Sequence, residues 1–233
     1  MIRLLLTVEG QTEQAFTASV LRPHLARVGV QAPKPRCTAI GRTHGRVHRG
    51  GVLRYQPVRD DIRAWIKQDQ DPTARFSTMI DLNGLPPDFP GFDRARQATD
   101  PYQRVAMIEQ AFADDINCPR FIPYIQLHEY ETLLLADHTK LCGYYGEERR
   151  NDLAPLAQAL AAEANPELID DGENTAPSKR ISACIPEYGS AKPTAGPIVA
   201  EAIGLTVLRR ACCHFNEWLE RIEALASESG AAS

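Results

Sequence analysis

The chain has 233 residues, 43% of them hydrophobic, and a formal charge of −4. That length suits one α/β domain, or a domain with a smaller appendage, and the acidic balance excludes binding of nucleic acid by net charge while leaving room for a local basic groove. No apolar stretch is long enough to span a bilayer, the short apolar run that Glu9 ends is not expected to be a signal peptide, and six cysteines (37, 118, 142, 184, 212 and 213) without CxxC spacing suit a reducing cytoplasm better than a disulfide framework.

Leu4, Leu5, Leu6 and Val8 form a run typical of a parallel strand covered on both faces. Gly10 is read as a turn residue and Thr12 as the cap of a helix carrying Glu13. The helix is predicted from Glu13 to Val28, with Phe16, Val20, Leu21 and Leu25 on one face and Pro23 expected to kink it or end it early. A strand is predicted near Arg36 to Ile40. The polar loop 41–51 combines four glycines with Arg42, Arg46 and Arg49. It reads equally as a phosphate grip made of backbone amides and cations or as a solvated surface loop. His44 and His48 read as a solvated pair, because the glycines oppose the helix that would align them on a metal.

A helix is predicted from Val58 to Gln68, then a strand from Phe76 to Leu82. Asp81 ends that strand as Glu9 ends the first. The proline-rich stretch 84–91 is a rigid loop, and Tyr102 to Ile116 is an amphipathic helix. Phe121 to Leu127 is a fourth strand, which Pro123 marks as an edge or an irregularity. It runs into His128-Glu-Tyr-Glu131. Strands alternating with helices imply a mainly parallel four-stranded sheet with right-handed crossovers. Ligands of such sheets sit beyond the carboxyl ends of the strands. Glu9, Glu13, Asp81 and Glu129 or Glu131 are therefore expected to meet along one edge and to ligate a hard divalent cation, Mg²⁺ or Mn²⁺.

From residue 136 to 226 the pattern is helical. Leu133 to Leu141 and Asp152 to Ala164 are predicted helices. Residues 165–197, rich in proline and glycine, read as a long functional loop holding Lys179, Arg180, Tyr188 and Lys192. The last helix is predicted from Ile198 to Ala226, broken at Gly204, and the tail 227–233 as disordered. Cys212, Cys213 and His214 would need a distant fourth ligand to hold zinc, so they read as core or surface residues. The division expected is 1–135 and 136–226.

Glu-Gly-Gln-Thr-Glu at 9–13, followed by Ile-Asp at 80–81, resembles a TOPRIM domain over about residues 1–135. The likeness is closer to the TOPRIM half of the overcoming-lysogenisation-defect (OLD) nucleases, where a Glu-Gly-x-x-Glu turn carries both acids. Closer still, and over nearly the whole chain, are small bacterial proteins of unknown function with TOPRIM-like character. They share Ile-Asp-Leu-x-Gly-Leu-Pro at 80–86, His-Glu-x-Glu at 128–131, Pro-Ser-Lys-Arg at 177–180 and Cys-His-Phe-x-x-Trp at 213–218. One departure stands out: TOPRIM domains commonly carry Asp-x-Asp, and the second position here is Asn83. The resemblance implies a Mg²⁺- or Mn²⁺-dependent endonuclease acting on DNA, in phage defence or DNA processing. Glu9, Glu13, Asp81, Glu129 and Glu131 would be its metal and catalytic residues and Lys179 a catalytic cation. Arg42, Arg46, Arg49, Lys179, Arg180 and Lys192 are the candidate phosphate contacts. No Gly-x-x-x-x-Gly-Lys-Ser/Thr loop is present, so any ATPase would be a separate partner; a homodimer is the other association considered. The alternatives are a non-catalytic module binding such a partner or nucleic acid, and a small-molecule phosphatase.

Overall fold

The computed structural model describes residues 1–38, 54–169 and 175–226 in full, and the backbone alone at 42–43, 46–47 and 227–231. In strand β1 (Ile2–Val8), Leu4, Leu6 and Val8 join one apolar cluster and Leu5 another. Both faces of the strand are thus covered, as its unbroken apolar run requires. Helix α1 (Gln11–Phe16), a π-helical turn (Thr17–Leu21) and α2 (Arg22–Arg27) follow without interruption. Pro23 does not end this helix. The wide turn ahead of it already departs from the ordinary i−4 ladder, so a missing N–H is tolerated there. The chain then lines one side of β1 in two short pieces, β2 (Val30–Gln31) and β3 (Arg36–Cys37), with Pro33 and Pro35 between them. β4 (Arg42–Thr43) and β5 (Arg46–Val47) form a small antiparallel pair.

Helix α3 (Tyr55–Gln68) begins three residues before its predicted start. The Asp88 carboxylate accepts the Tyr55 N–H at 3.1 and 3.3 Å, a cap supplied from far along the chain. β6 (Ala74–Asp81) pairs in parallel with β1 from Arg3↔Ala74 to Val8↔Met79. A short α4 (Phe92–Ala95) leads to α5 (Pro101–Ile116), which Asp100 caps by accepting the Tyr102 N–H. Pro123 splits the fourth predicted strand into β7 (Phe121–Ile122) and β8 (Ile125–Gln126), both parallel to β6. The Thr78 hydroxyl bridges the gap, accepting from Tyr124 N at 3.0 Å and donating to Tyr124 O at 2.9 Å. The six strands of this sheet therefore fill four positions, in the order β2/β3, β1, β6, β7/β8, all parallel.

A 3-10 segment (Tyr130–Asp137) stands where a helix was predicted from Leu133, and α6 (Lys140–Tyr145) and α7 (Ala154–Ala162) follow. The stretch 165–197 is not the structureless loop expected. It holds α8 (Pro177–Cys184) and most of α9 (Tyr188–Ile203), while 170–174 lie outside the described residues. Two prolines inside α9, Pro193 and Pro197, cost about 3 kcal/mol each by propensity. Buried Tyr188, Val199 and Ile203 each offset roughly 2 kcal/mol of that. Gly196 lets α9 close on α1: a Cβ there would stand 3.0 Å from Tyr130 Cε1 and 3.2 Å from Thr12 Cγ2. Gly204 breaks the next helix as predicted, with φ +83°, giving α10 (Leu205–Ala211). A second break at Cys212 starts α11 (Cys213–Ala231). The α11 backbone thus runs into the tail expected to be disordered from residue 227.

The N-terminal helices, α9 and α11 share one apolar cluster with β1, through Phe16, Leu21, Val199, Phe215 and Trp218. α3 and α5 cover the opposite face through Ile62, Trp65, Ile108 and Phe112. The acids lie at the carboxyl ends of β1, β6 and β8, where Glu13 and Glu131 are buried and α9 reaches over Glu131.

Candidate metal centre

Glu9 directly follows β1. Its N–H donates to Met79 O at 3.0 Å, and its own carbonyl accepts the Thr38 hydroxyl at 3.1 Å, so both neighbouring strands fix its backbone. Its Oε2 accepts the Asp81 N–H at 3.0 Å. This one bond joins the ends of β1 and β6. Gly84 completes the cradle: a Cβ at that position would lie 3.3 Å from both Glu9 carboxylate oxygens.

Gly10 is extended, with φ −155°, a conformation open to any residue, so a left-handed turn is not its role. The helix starts at Gln11, ahead of Thr12, and its cap is Glu13, whose Oε2 accepts the Gly10 N–H at 2.7 Å. Glu13 is 6% exposed. Burial pushes its pKa up to about 7; backbone hydrogen bonds oppose the rise and the Glu9 and Glu131 charges add to it. Asp81 ends β6 with Oδ1 buried and without a hydrogen-bond partner among the described residues. Burial raises its pKa well above the carboxylate range, and the charges of Glu9, Glu13, Glu131 and Glu129 raise it further.

The third arm follows β8. His128 adopts φ +58°, a conformation costing about 1–3 kcal/mol for a non-glycine residue. It is held by Nε2 against Glu167 O at 2.9 Å, while its carbonyl accepts the Asn83 N–H at 3.0 Å. Glu129 Oε2 accepts the Ser178 N–H at 2.9 Å, which docks the start of α8 onto this arm. Glu131 is buried; its Oε1 accepts the Tyr188 hydroxyl at 3.0 Å and pairs with Lys192 Nζ at 3.1 Å. Burial raises its pKa, against the pull of Lys192. Burial works to lower the Lys192 pKa, but Glu131, Glu129 and Asp81 together hold it above its ordinary value. Tyr130, between the two glutamates, has a buried hydroxyl without a partner among the described residues.

All five acids named from the sequence thus lie at one end of the sheet, and the charges of the four glutamates all act on Asp81. Their donors are oxygens only, the set preferred by Mg²⁺ or Mn²⁺. The partnerless Asp81 Oδ1 and the mutual repulsion fit a cation. Among the described residues, no three His, Cys, Asp or Glu side chains already stand in coordinating geometry. The glutamates have an oxygen turned instead to a protein donor: Asp81 N, Gly10 N, Ser178 N, or Tyr188 and Lys192.

A family model described as domain of unknown function (DUF4276) matches residues 8–223. The chain belongs to that family. The family match takes in all five acids and both lysines at issue. The chain is also similar to the C-terminal region of the OLD protein of Xanthomonas campestris pv. campestris, at 16% identity over 99% of this chain and 98% of that one, with a TM-score of 0.44. No curated protein matches it.

The predicted cations are distributed unevenly around the acids of this DUF4276 chain. Lys192 is at the acids. Lys179 is exposed on the second turn-forming position after Pro177, and it lines a groove of about 430 Å³ with Arg180, Asp152 and Leu156. Ala176 is the N-cap of α8. The side chains of Arg42 and Arg46, like all of Arg49, lie outside the described residues. Cys212 is buried, Cys213 exposed, and His214 is paired with Glu109 at 3.0 Å, so they form no zinc set. Sequence reading misses Glu167, fully buried, whose carboxylate accepts from Tyr102 Oη, His214 N and Phe215 N. A lone glutamate in a polar stretch gives no sign that it caps a helix 46 residues later. The prolines hide from the sequence that Tyr188 opens helix α9, where its side chain is buried.

Proposed function

We propose that the chain is a metal-dependent nuclease that hydrolyses phosphodiester bonds in DNA. The observation that supports it most is the partnerless Asp81 Oδ1 beside Glu9, Glu13 and Glu131 at the carboxyl end of a parallel sheet. In this reading Glu9, Glu13 and Asp81 hold one or two Mg²⁺ or Mn²⁺ ions. When bound, the ion supplies charge stabilisation for the phosphate and lowers the pKa of a water. Glu129 or Glu131 completes the ligand set or takes up the proton of the attacking water. Glu13, whose pKa burial raises to about 7, would have to be deprotonated to hold the ion. Lys192, anchored on Glu131, offsets charge developing on the phosphate. Lys179 and Arg180 lie further along the path of a polymer, across α8. The motif likeness to OLD nucleases makes a separate ATPase the natural partner.

The absence of three carboxylates in coordinating geometry among the described residues favours a second reading, a non-catalytic module of the same family that binds an ATPase or nucleic acid. Plasmid nicking in Mg²⁺ or Mn²⁺, with EDTA as control, separates the two. The nuclease reading expects nicking that EDTA abolishes and that Glu9→Gln and Asp81→Asn largely remove. Equal nicking by parent and Glu9→Gln would exclude the acids as its ligands.

A further inference from the structure

The turn after Asp81 has two sides. One carries Gly84 against the Glu9 carboxylate. The other, through Leu82, Asn83 and Leu85, walls a cleft of about 300 Å³ whose far side bears Phe92, Arg96 and Arg104. The 3-10 turn Leu82–Gly84, which directly follows Asp81, gives Leu82 and Asn83 to the cleft wall.

Two cations line it without an acidic partner among the described residues. Arg104 donates from Nη2 to Ala98 O at 3.0 Å, and its Nε is buried with no acceptor among the described residues. A buried guanidinium N–H left unmade costs about 1–3 kcal/mol, which an anion entering the cleft would recover. Arg96 is exposed, its guanidinium 5.8 Å from the centre of the half-buried Phe92 ring. Two guanidinium forks next to an aromatic face match what a single nucleic-acid strand offers, an anionic phosphate beside a base that can stack. Asn83, on the facing wall, brings an amide and no charge, where a carboxylate would repel the phosphate.

We propose that this cleft is a phosphate subsite for a nucleic-acid strand. Arg96 and Arg104 bind the non-bridging oxygens of a phosphodiester neighbouring the one at the acids, and Phe92 receives the adjoining base. The choice of a polymer as ligand rests on the nuclease reading; the anion site itself rests on the two arginines.

The test is fluorescence anisotropy of a short labelled single-stranded DNA in Ca²⁺, as a function of salt, for the parent, Arg96→Ala, Arg104→Gln and Asn83→Asp. One phosphate contact on a single strand contributes a salt slope of about 0.7, which is about fivefold in affinity near 0.1 M salt. Arg96→Ala should therefore weaken binding about fivefold and flatten the slope by about 0.7. Asn83→Asp should weaken it in the same direction. Arg96 and Asn83 are exposed, so these two variants decide the matter even if Arg104→Gln fails to fold. Unchanged affinity and slope in both, or a parent that does not bind the DNA, overturns the subsite. A parent that binds through Arg96 but nicks no plasmid keeps the subsite and removes the nuclease reading. A parent that nicks, with binding indifferent to Arg96 and Asn83, does the reverse.

Discussion

Replacing Glu13 with glutamine tests the electrostatics of the acid cluster without touching its packing. Glu13 is 6% exposed, and its pKa is pushed from 4.5 to about 7, by burial first and by Glu9 and Glu131 in addition. A raised pKa means that the folded chain holds this proton more tightly than the unfolded chain does. The stability it contributes is fully present below pH 4.5 and is lost as pH rises through about 7. The full rise is worth about 3 kcal/mol. Glutamine keeps an acceptor for the Gly10 N–H and cannot ionise. Glu13→Gln should therefore be more stable than the parent by up to about 3 kcal/mol at about pH 8 in EDTA, and nearly equal to it at about pH 4. A saturating divalent ion reverses the order. The parent gains stability by mass action, about 4.1 kcal/mol at a thousandfold excess over Kd, and the variant gains far less. Urea unfolding at the two pH values, with EDTA and with Mn²⁺, gives all four numbers. A variant less stable than the parent at pH 8 in EDTA, or a parent whose stability is flat across the range, would refute the reasoning.

Glu167→Gln should lower stability by about 2 kcal/mol, because its NH₂ faces donors at Tyr102, His214 or Phe215 that now lack an acceptor; the urea midpoint reads this. Lys192→Met leaves Glu131 buried without its cation and should cost about 2 kcal/mol near neutrality. The loss should shrink toward pH 5 as Glu131, its pKa already raised, takes up a proton, so a pH series of melts checks the sign. Gly196→Ala should destabilise by about 1–3 kcal/mol, since its Cβ enters the contact of α9 with Tyr130 and Thr12. If α9 shifts freely to make room, the melting temperature will not move.

The sheet was legible because both faces of its strands are covered, which leaves apolar runs at 2–8, 74–81 and 121–126 that nothing else explains. Glu9 and Asp81 could be paired from sequence because each directly ends such a run, and Pro123 announced the split it causes. Positions set by distant partners were not legible. Asp88 starts α3 early, Glu167 caps α11, and Thr78 closes the gap at Tyr124. The largest miss, the loop expected over 165–197, has a local cause: Gly189, Pro193, Gly196 and Pro197 argue against a helix by propensity, and only the packing of α9 on α1 and Tyr130 outweighs them. For the same reason Lys192 could not be placed beside Glu131 from sequence, and Lys179 stood as the catalytic cation while Lys192 was only a candidate phosphate contact.

A crystal soaked in Mn²⁺ and measured for anomalous scattering tests the account most directly. An anomalous peak bounded by the carboxylates of Glu9, Glu13 and Asp81, with the Asp81 Oδ1 among its ligands, is the result expected. Saturating Mn²⁺ with no peak at the carboxyl ends of β1 and β6 would contradict it.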